Sequence, residues 1–327
     1  MNPDPMTLAR ARLALGLARR VFLFDPNVNL IGFGHPEHDG RLAENELAIR
    51  LHVTSKLSGL ALEAATLAGY TSPIPSEIGG FQTDVLEGAY ALHQARAWGG
   101  WWQPAAPDGR ALQADPMRGG ISISDEFHVG YGTLGGKVHD RVTGEAMVLS
   151  NWHVLAAGWS ARRGQLVYQP GRLDGGTFVN AFARLARDAM AVNLDAAVAT
   201  LTGSRRLTGE QLGLGPVVGV GDWQLDLPVV KSGRGSGITH GRIVEIESAA
   251  PMRYGYLTRV IRDVMVIDPL YGSEVSKPGD SGSWWLNEAT REAVGLHFAG
   301  SDMPERALAV NMRSVLAALG VEIRAGA

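Results

Sequence analysis

The chain has no cysteine among its 327 residues. That absence excludes disulfide frameworks, thiolate nucleophiles and cysteine-ligated zinc, and leaves the compartment open. An excess of either charge is also missing: 30 Lys and Arg stand against 33 Asp and Glu, for a net charge of −3. No long-range field therefore draws nucleic acid or an anionic membrane, and neither is expected as a partner. Long hydrophobic runs are absent as well. The first stretch, "MNPDPMTLARARLALGLARRVFLF", is broken by Arg10, Arg12, Arg19 and Arg20. This is the pattern of an amphipathic helix, not of a signal peptide or a membrane span, so the expected location is cytoplasmic. Hydrophobic residues at 45% and charged residues at 19% are ordinary for a soluble globular protein, and the length suits two or three compact units.

Three regions follow one another. Helical spacing over residues 6–22 brings Leu8, Leu13, Leu15, Leu17 and Val21 between arginines, and "NVNLIGFGH" and "ELAIRLHVTSK" read as strands around the loop "PEHDGRLAEN". With a helix in "LSGLALEAATLAGY", residues 1–95 form a small α/β module. Residues 96–120, rich in Gly and Pro and without periodicity, are the expected linker, which Trp98, Trp101 and Trp102 are read as anchoring onto the barrels. From residue 121 onward short strands alternate with Gly, Asp and Asn turns in two sets, which suggests two sandwiches or barrels. "MRSVLAALG" closes the chain as a helix capped by Gly320.

Within the second set, "SKPGDSGSWWL" places Ser281 between Asp280 and Gly282. Such a run is either a tight turn or the seat of a nucleophile. A serine hydroxyl needs a base to take its proton and N–H donors for the developing oxyanion. Gly279 and Gly282 let the backbone turn so that the N–H groups of Gly279 and Ser281 converge. His153, at the end of the strand-like run in "VLSNWHVLAAG", is a candidate base, and Asp195 in "NLDAAVATL" a candidate orienting acid, with Asp188 as its rival. Each residue alone has a bland structural reading. Together the order His153, Asp195, Ser281 is one of three familiar serine-hydrolase layouts. The α/β-hydrolase order is weaker: only Glu288 and Glu292 stand between Ser281 and His297, Ser283 replaces the glycine that closes that elbow, and the alternating helices of a parallel sheet are missing. A subtilisin-like order, with Asp125 or Asp140 as acid, requires a parallel α/β architecture that this region does not show.

The segments "LSNWHV", "DAAVA" and "PGDSGS…VGLHFAGS" resemble the His, Asp and Ser motifs of chymotrypsin-like serine peptidases. More narrowly, "IPSEIGGFQTDVLE", "GTLGGKV", "YQPGRLDGG" and "VVKSGRGSGITHGRI" are similar to bacterial trypsin-like proteins related to the plant Narrow Leaf protein. The resemblance implies a mostly β fold: two antiparallel β-barrels of the chymotrypsin type, about 121–212 and 213–327, preceded by the small α/β domain and followed by a C-terminal helix. It implies a serine endopeptidase acting on protein or peptide substrates without a cofactor or metal, with His153 as base, Asp195 as orienting acid, Ser281 as nucleophile and the N–H groups of Gly279 and Ser281 as oxyanion donors. The alternative is a catalytically weak assembly or regulatory module on the same fold. A homo-oligomer is left open.

In trypsin-type enzymes the acid before the nucleophile accepts a salt bridge from a new N-terminus made by cleavage. No "IVGG" follows a basic residue here, so Asp280 is expected to bond to nearby backbone instead. By count from Ser281, Val275 falls at the base of the primary pocket and offers no charge for Arg or Lys. The strand "GLHFAG" resembles one in glutamyl endopeptidases, which implies that His297, as an imidazolium, and Ser276 bind an acidic side chain before the cut bond. The other reading of His297 is a buried histidine bonded to backbone. Two further patterns are set aside. His35, Glu37, His38 and Asp39 crowd one Pro/Gly loop without a helical register for a metal, and "KSGRGSG", with Lys231, Gly233, Gly235 and Gly237, feeds a strand and not the helix that a phosphate loop requires.

Overall fold

The structure, a computed structural model, describes residues 3–93, 95–96, 109–272 and 274–325. Of the linker expected over 96–120, residues 97–108, with the three tryptophans, lie outside them. Helix α1, Pro5–Phe22, starts where Asp4 accepts hydrogen bonds from the N–H groups of Met6 and Thr7, with Pro5 supplying a preset φ in the first turn. It turns Ala11, Ala14, Leu15, Ala18 and Phe22 inward, whereas Leu13, Leu17 and Val21 face outward. The small alanine face is what lets the helix lie close to its neighbours: a Cβ on Gly79 would come within 2.7 Å of the Ala14 Cβ.

Strands β1 (Val28–Gly34), β2 (Ala48–Val53) and β3 (Phe81–Glu87) follow, with helix α2 (Gly59–Leu67) crossing between the parallel pair β2 and β3. A two-residue strand, β4 (Ala91–Leu92), ends this region. The first barrel is antiparallel along the order β7–β8–β11–β10–β9–β5–β6. Its strands are β5 (Ser122–Asp125), β6 (Gly130–Thr133), β7 (Gly136–Asp140), β8 (Ala146–Ser150), β9 (Leu166–Tyr168), β10 (Ala181–Asp188) and β11 (Ala197–Leu201). The short helix α3 (Trp152–Leu155) leaves the end of β8.

The second barrel closes as a ring of six antiparallel strands, β12–β15–β16–β17–β14–β13 and back to β12. These are β12 (Pro228–Gly233), β13 (Gly237–Tyr254), β14 (Leu257–Pro269), β15 (Trp284–Asn287), β16 (Ala293–Asp302) and β17 (Glu305–Asn311). Helix α4 (Met312–Leu319) closes the chain, with Gly320 left-handed after it.

The stretch expected to stand apart as residues 1–95 is built into this second barrel. Beyond its pairing with β12, the 18-residue β13 also carries β1, with Ile31 opposite Ala249 and Phe33 opposite Ile246. One apolar core joins Leu15, Ile31, Phe33, Ile49 and Leu51 to Val229, Ile243, Ile267, Trp285 and Val294. The physical reason is that β1 and β2 are buried along almost their whole length: Ile31, Phe33, Ile49 and Leu51 enter this apolar core, while Arg50 and His52 pair with the buried Glu245 of β13. Residues Met117–Gly119, counted with the linker, form a strand parallel to Leu207–Gln211.

Phe33, fully buried and edge-on to Phe81 with ring centres 5.4 Å apart, tests that continuity. Phe33→Ala should cost about 3–5 kcal/mol and shift one calorimetric transition of the whole chain. Two transitions, of which only one moves, would show an independent N-terminal unit.

Candidate active site

Strand register brings His153 and Asp195 together. Ser150 at the end of β8 sits opposite Ala197 at the start of β11, so the chain leaving one and the chain entering the other share one end of the sheet. His153 Nδ1 lies 2.5 Å from Asp195 Oδ2, and the His153 backbone N–H donates to Asp195 Oδ1 at 3.2 Å. Both side chains are buried. Asn151 Nδ2 donates to the Asp195 carbonyl at 2.7 Å, fixing the loop. The rival acid, Asp188, accepts from the Met190 N–H, a turn contact within its own segment.

Tyr254 is a partner the sequence did not announce. It stands at the tip of the β13–β14 hairpin, which reaches from the second barrel to the first, and its hydroxyl donates to Asp195 Oδ2 at 2.8 Å. Burial and the adjacent Asp195 carboxylate raise its pKa well above the usual phenol value, so it remains a donor. The carboxylate thus meets donors from both barrels, and His153 Nε2 is buried with no hydrogen-bond partner among the described residues.

Ser281 lies on the turn between β14 and β15. Thr133 of the first barrel stitches this turn in place, its N–H donating to the Ser281 carbonyl at 2.7 Å and its hydroxyl to the Gly279 carbonyl at 2.8 Å. Gly279 and Gly282 hold φ of +103° and +100°, and a Cβ on Gly282 would meet the Ser150 hydroxyl at 2.1 Å. Glycine is therefore required at 282 both for its dihedral and for its contact with the strand leading to His153. Ser281 Oγ donates to the Phe298 carbonyl at 3.1 Å, so the serine is turned away from His153 Nε2.

Asp280, fully buried, does more than bond to backbone. Its Oδ1 accepts from the N–H groups of Gly235 and Ser236, and its Oδ2 from the Lys277 N–H, the Ser236 hydroxyl and Lys231 Nζ, the last at 2.8 Å. Burial opposes its ionisation, but Lys231 and these donors overcome that and hold the carboxyl well below its usual range. The glycine run "KSGRGSG" is the carboxylate's nest: a Cβ on Gly233 would meet Asp280 Oδ1 at 2.3 Å. A lysine resident in β12 thus supplies the positive charge that the sequence left without a source.

The three residues expected to line the primary pocket are all buried. Val275 packs in the apolar core with Ile267 and Trp285, its carbonyl accepting from the Thr239 hydroxyl. The Ser276 hydroxyl is buried without a hydrogen-bond partner among the described residues. Neither is joined to His297 by a hydrogen bond. His297 is fully buried in β16, with its Nδ1 3.5 Å from Trp285 Nε1 and its Nε2 3.2 Å from His93 Nδ1. Burial, then the nearby His93 and Lys231, push its pKa well below the ordinary imidazole value, so it is neutral and not the imidazolium expected. The indole N–H can only donate, which assigns the acceptor to Nδ1 and the proton to Nε2. His297 therefore presents one neutral N–H donor.

No family model matches the chain, and no curated protein matches it. Among solved structures it is similar to Thermobifida fusca protease A, at 16% identity and a TM-score of 0.49 over 64% of this chain and 100% of that one. It is also similar to Cellulomonas bogoriensis chymotrypsin, at 18% identity and a TM-score of 0.47 over 63% of this chain and 98% of that one. A third is a glutamic acid specific serine protease, described as using a histidine triad in substrate binding, at 17% identity and a TM-score of 0.47 over 63% and 100%.

The Lys231–Asp280 pair yields a direct test. Lys231→Met leaves a buried carboxylate uncompensated and should destabilise the chain by about 3–5 kcal/mol, measured by denaturant unfolding. Adding Asp280→Asn should recover much of that loss; equal loss in the single and double variants would show that the two groups are not coupled. Because the Asp280 pKa is depressed, its contribution is complete above the ordinary carboxylate range and is lost as pH falls through its folded value, so the difference between wild type and double variant should shrink in acid.

Proposed function

We propose that this protein is a serine endopeptidase that hydrolyses peptide bonds through an acyl-enzyme. His153 is the general base, Asp195 holds it in the required tautomer, Ser281 is the nucleophile, and the N–H groups of Gly279 and Ser281 receive the oxyanion. The observation that carries the proposal is the buried His153–Asp195 pair, tied at 2.5 Å, with His153 Nε2 left without a hydrogen-bond partner among the described residues. With Asp195 accepting at Nδ1, the free Nε2 is the basic nitrogen that can take a hydroxyl proton. Closing the relay requires Ser281 Oγ to leave the Phe298 carbonyl for His153. The motifs quoted above from "IPSEIGGFQTDVLE" to "VVKSGRGSGITHGRI" support placing the chain in the bacterial group related to the plant Narrow Leaf protein.

A second reading, a catalytically weak protease-fold module, draws on that same parked serine. A fluorophosphonate probe separates the two. Wild type should label and Ser281→Ala should not, with peptide turnover falling roughly 10⁶-fold at an unchanged melting temperature. Asp195→Asn should lower kcat by about 10⁴, while Asp188→Asn should leave it near wild type. Absence of labelling in folded wild type would favour the module.

For the primary pocket, the neutral His297 N–H selects side chains that bring an acceptor, a carboxylate above all. Because that donor exists without proton uptake, a preference for Glu or Asp before the cut bond should persist above pH 6.5, where an imidazolium-based preference would fade. A positional peptide library read at pH 5.5 and 8 with wild type and His297→Ala checks this. Preference for Leu or Phe in wild type, or an acidic preference unchanged in the variant, would remove His297 from the pocket.

A further inference from the structure

The groove beside Ser281 is already filled by the chain itself. Strand β4 pairs antiparallel with β16, Leu92 opposite Ala299 and Ala91 opposite Gly300. One residue on, the His93 N–H donates to the Phe298 carbonyl at 3.2 Å, and the His93 carbonyl accepts from the N–H of Gly279, one of the two proposed oxyanion donors. The His93 imidazole is buried against His297, Nδ1 to Nε2 at 3.2 Å with ring centres 5.3 Å apart. Gly300 makes the space for it, since a Cβ there would meet His93 Cε1 at 2.3 Å. Leu92 lines, with His153, Trp152, Trp159 and Tyr254, a cleft of about 420 Å³ on the other side of the base.

Both flanks of this segment are fixed. Upstream, the Tyr90 hydroxyl lies 2.7 Å from His52 Nδ1, and His52 Nε2 lies 2.6 Å from the buried Glu245. Downstream, Ala95 and Arg96 pair with Tyr131 and Gly130 of β6. The chain therefore lies on the second barrel up to His93, whose carbonyl meets Gly279, and pairs with the first barrel at Ala95 and Arg96. A main-chain ladder on one side, a buried side chain next to the cut and a carbonyl in the oxyanion donor's reach are the contacts a peptide substrate needs.

We infer that the protein is its own substrate, and that Ser281 cleaves the peptide bond on the carboxyl side of His93 within the same molecule. This rests on the serine-peptidase reading above. Ser281 Oγ adds to the His93 carbonyl carbon and its proton passes to His153. The carbon–nitrogen bond then breaks as His153 returns that proton to the departing amine. Water splits the resulting ester, leaving a carboxylate on His93, a new amino terminus on the downstream fragment and Ser281 regenerated. The side chain before the cut is an imidazole whose Nδ1 accepts from His297, the same acceptor chemistry that the pocket offers a carboxylate. Holding nucleophile and carbonyl in one chain makes the step unimolecular.

The experiment follows the intact mass of purified full-length protein, wild type and Ser281→Ala, over days at two concentrations tenfold apart, with fluorophosphonate labelling in parallel. Conversion of wild type into two fragments, one ending at His93, with a rate constant independent of dilution and no conversion of a Ser281→Ala protein of unchanged melting temperature, is the expected result. Cleavage elsewhere, equal cleavage of the variant, or a rate proportional to concentration overturns the inference. A wild type that labels on Ser281 yet stays intact also overturns it and leaves the peptidase reading standing. A folded wild type that neither labels nor cleaves removes both.

Discussion

The ion pair between Lys231 and Asp280 is the interaction on which the rest of the site depends. Two unpaired charges at that depth would be costly, and each is tolerable only because the other and a shell of N–H donors surround it. Fixing Asp280 fixes the turn that carries Gly279 and Ser281, and the glycines of "KSGRGSG" are what allow the carboxylate to come so close. Lys231 also lies over the Trp285 ring at 5.4 Å, the same indole that sets the tautomer of His297. One buried cation therefore organises the turn that carries Ser281 and touches the indole that meets His297.

The N-terminal region gains its role from sheet continuity. Because β1 extends the wall of the second barrel through β13, the strands that follow it are rigidly placed, and the chain that leaves β3 is delivered along the groove. The buried polar group at that junction is tied by ion pairs, Glu245 with Arg50 and with His52, and Arg50 also with Glu37. Its geometry sets where Tyr90 can stand and hence where Leu92 and His93 fall. The N-terminal segment thus reaches Gly279 and His297 by position alone.

What could be read from the residues was what local pattern encodes. His153 and Asp195 lie next to apolar strand-like runs, so their proximity follows from two strands pairing at one end. The turn around Ser281 is written in its glycines. The two sets of short strands announced a mostly β architecture. Other features depend on distant partners. Lys231 is a single charge in "PVVKSG", and alternation reads it as surface until Asp280 arrives from 49 positions away. β4 is two residues long, too short to carry a period, so nothing local marks His93 as an occupant of the pocket. In α1 the larger Leu13, Leu17 and Val21 suggested the inward face, but the close approach of the helix selects its alanines. The continuation of β13 beyond its hairpin with β12 is likewise invisible, because pairing with β1 spans more than 200 residues of sequence.

The hairpin carrying Tyr254 has a consequence for the order in which the molecule is made. His153 and Asp195 emerge with the first barrel, yet the Tyr254 hydroxyl that bonds Asp195 comes from the second, and Ser281 follows 86 positions after Asp195. Its neighbour β16 is held in turn by β17, through Leu296 opposite Val310 and His297 opposite Ala309. During synthesis His153 and Asp195 are therefore made before Ser281 and before the strand that flanks it. A growing chain does not bring the three residues into one site until β17 has closed against β16.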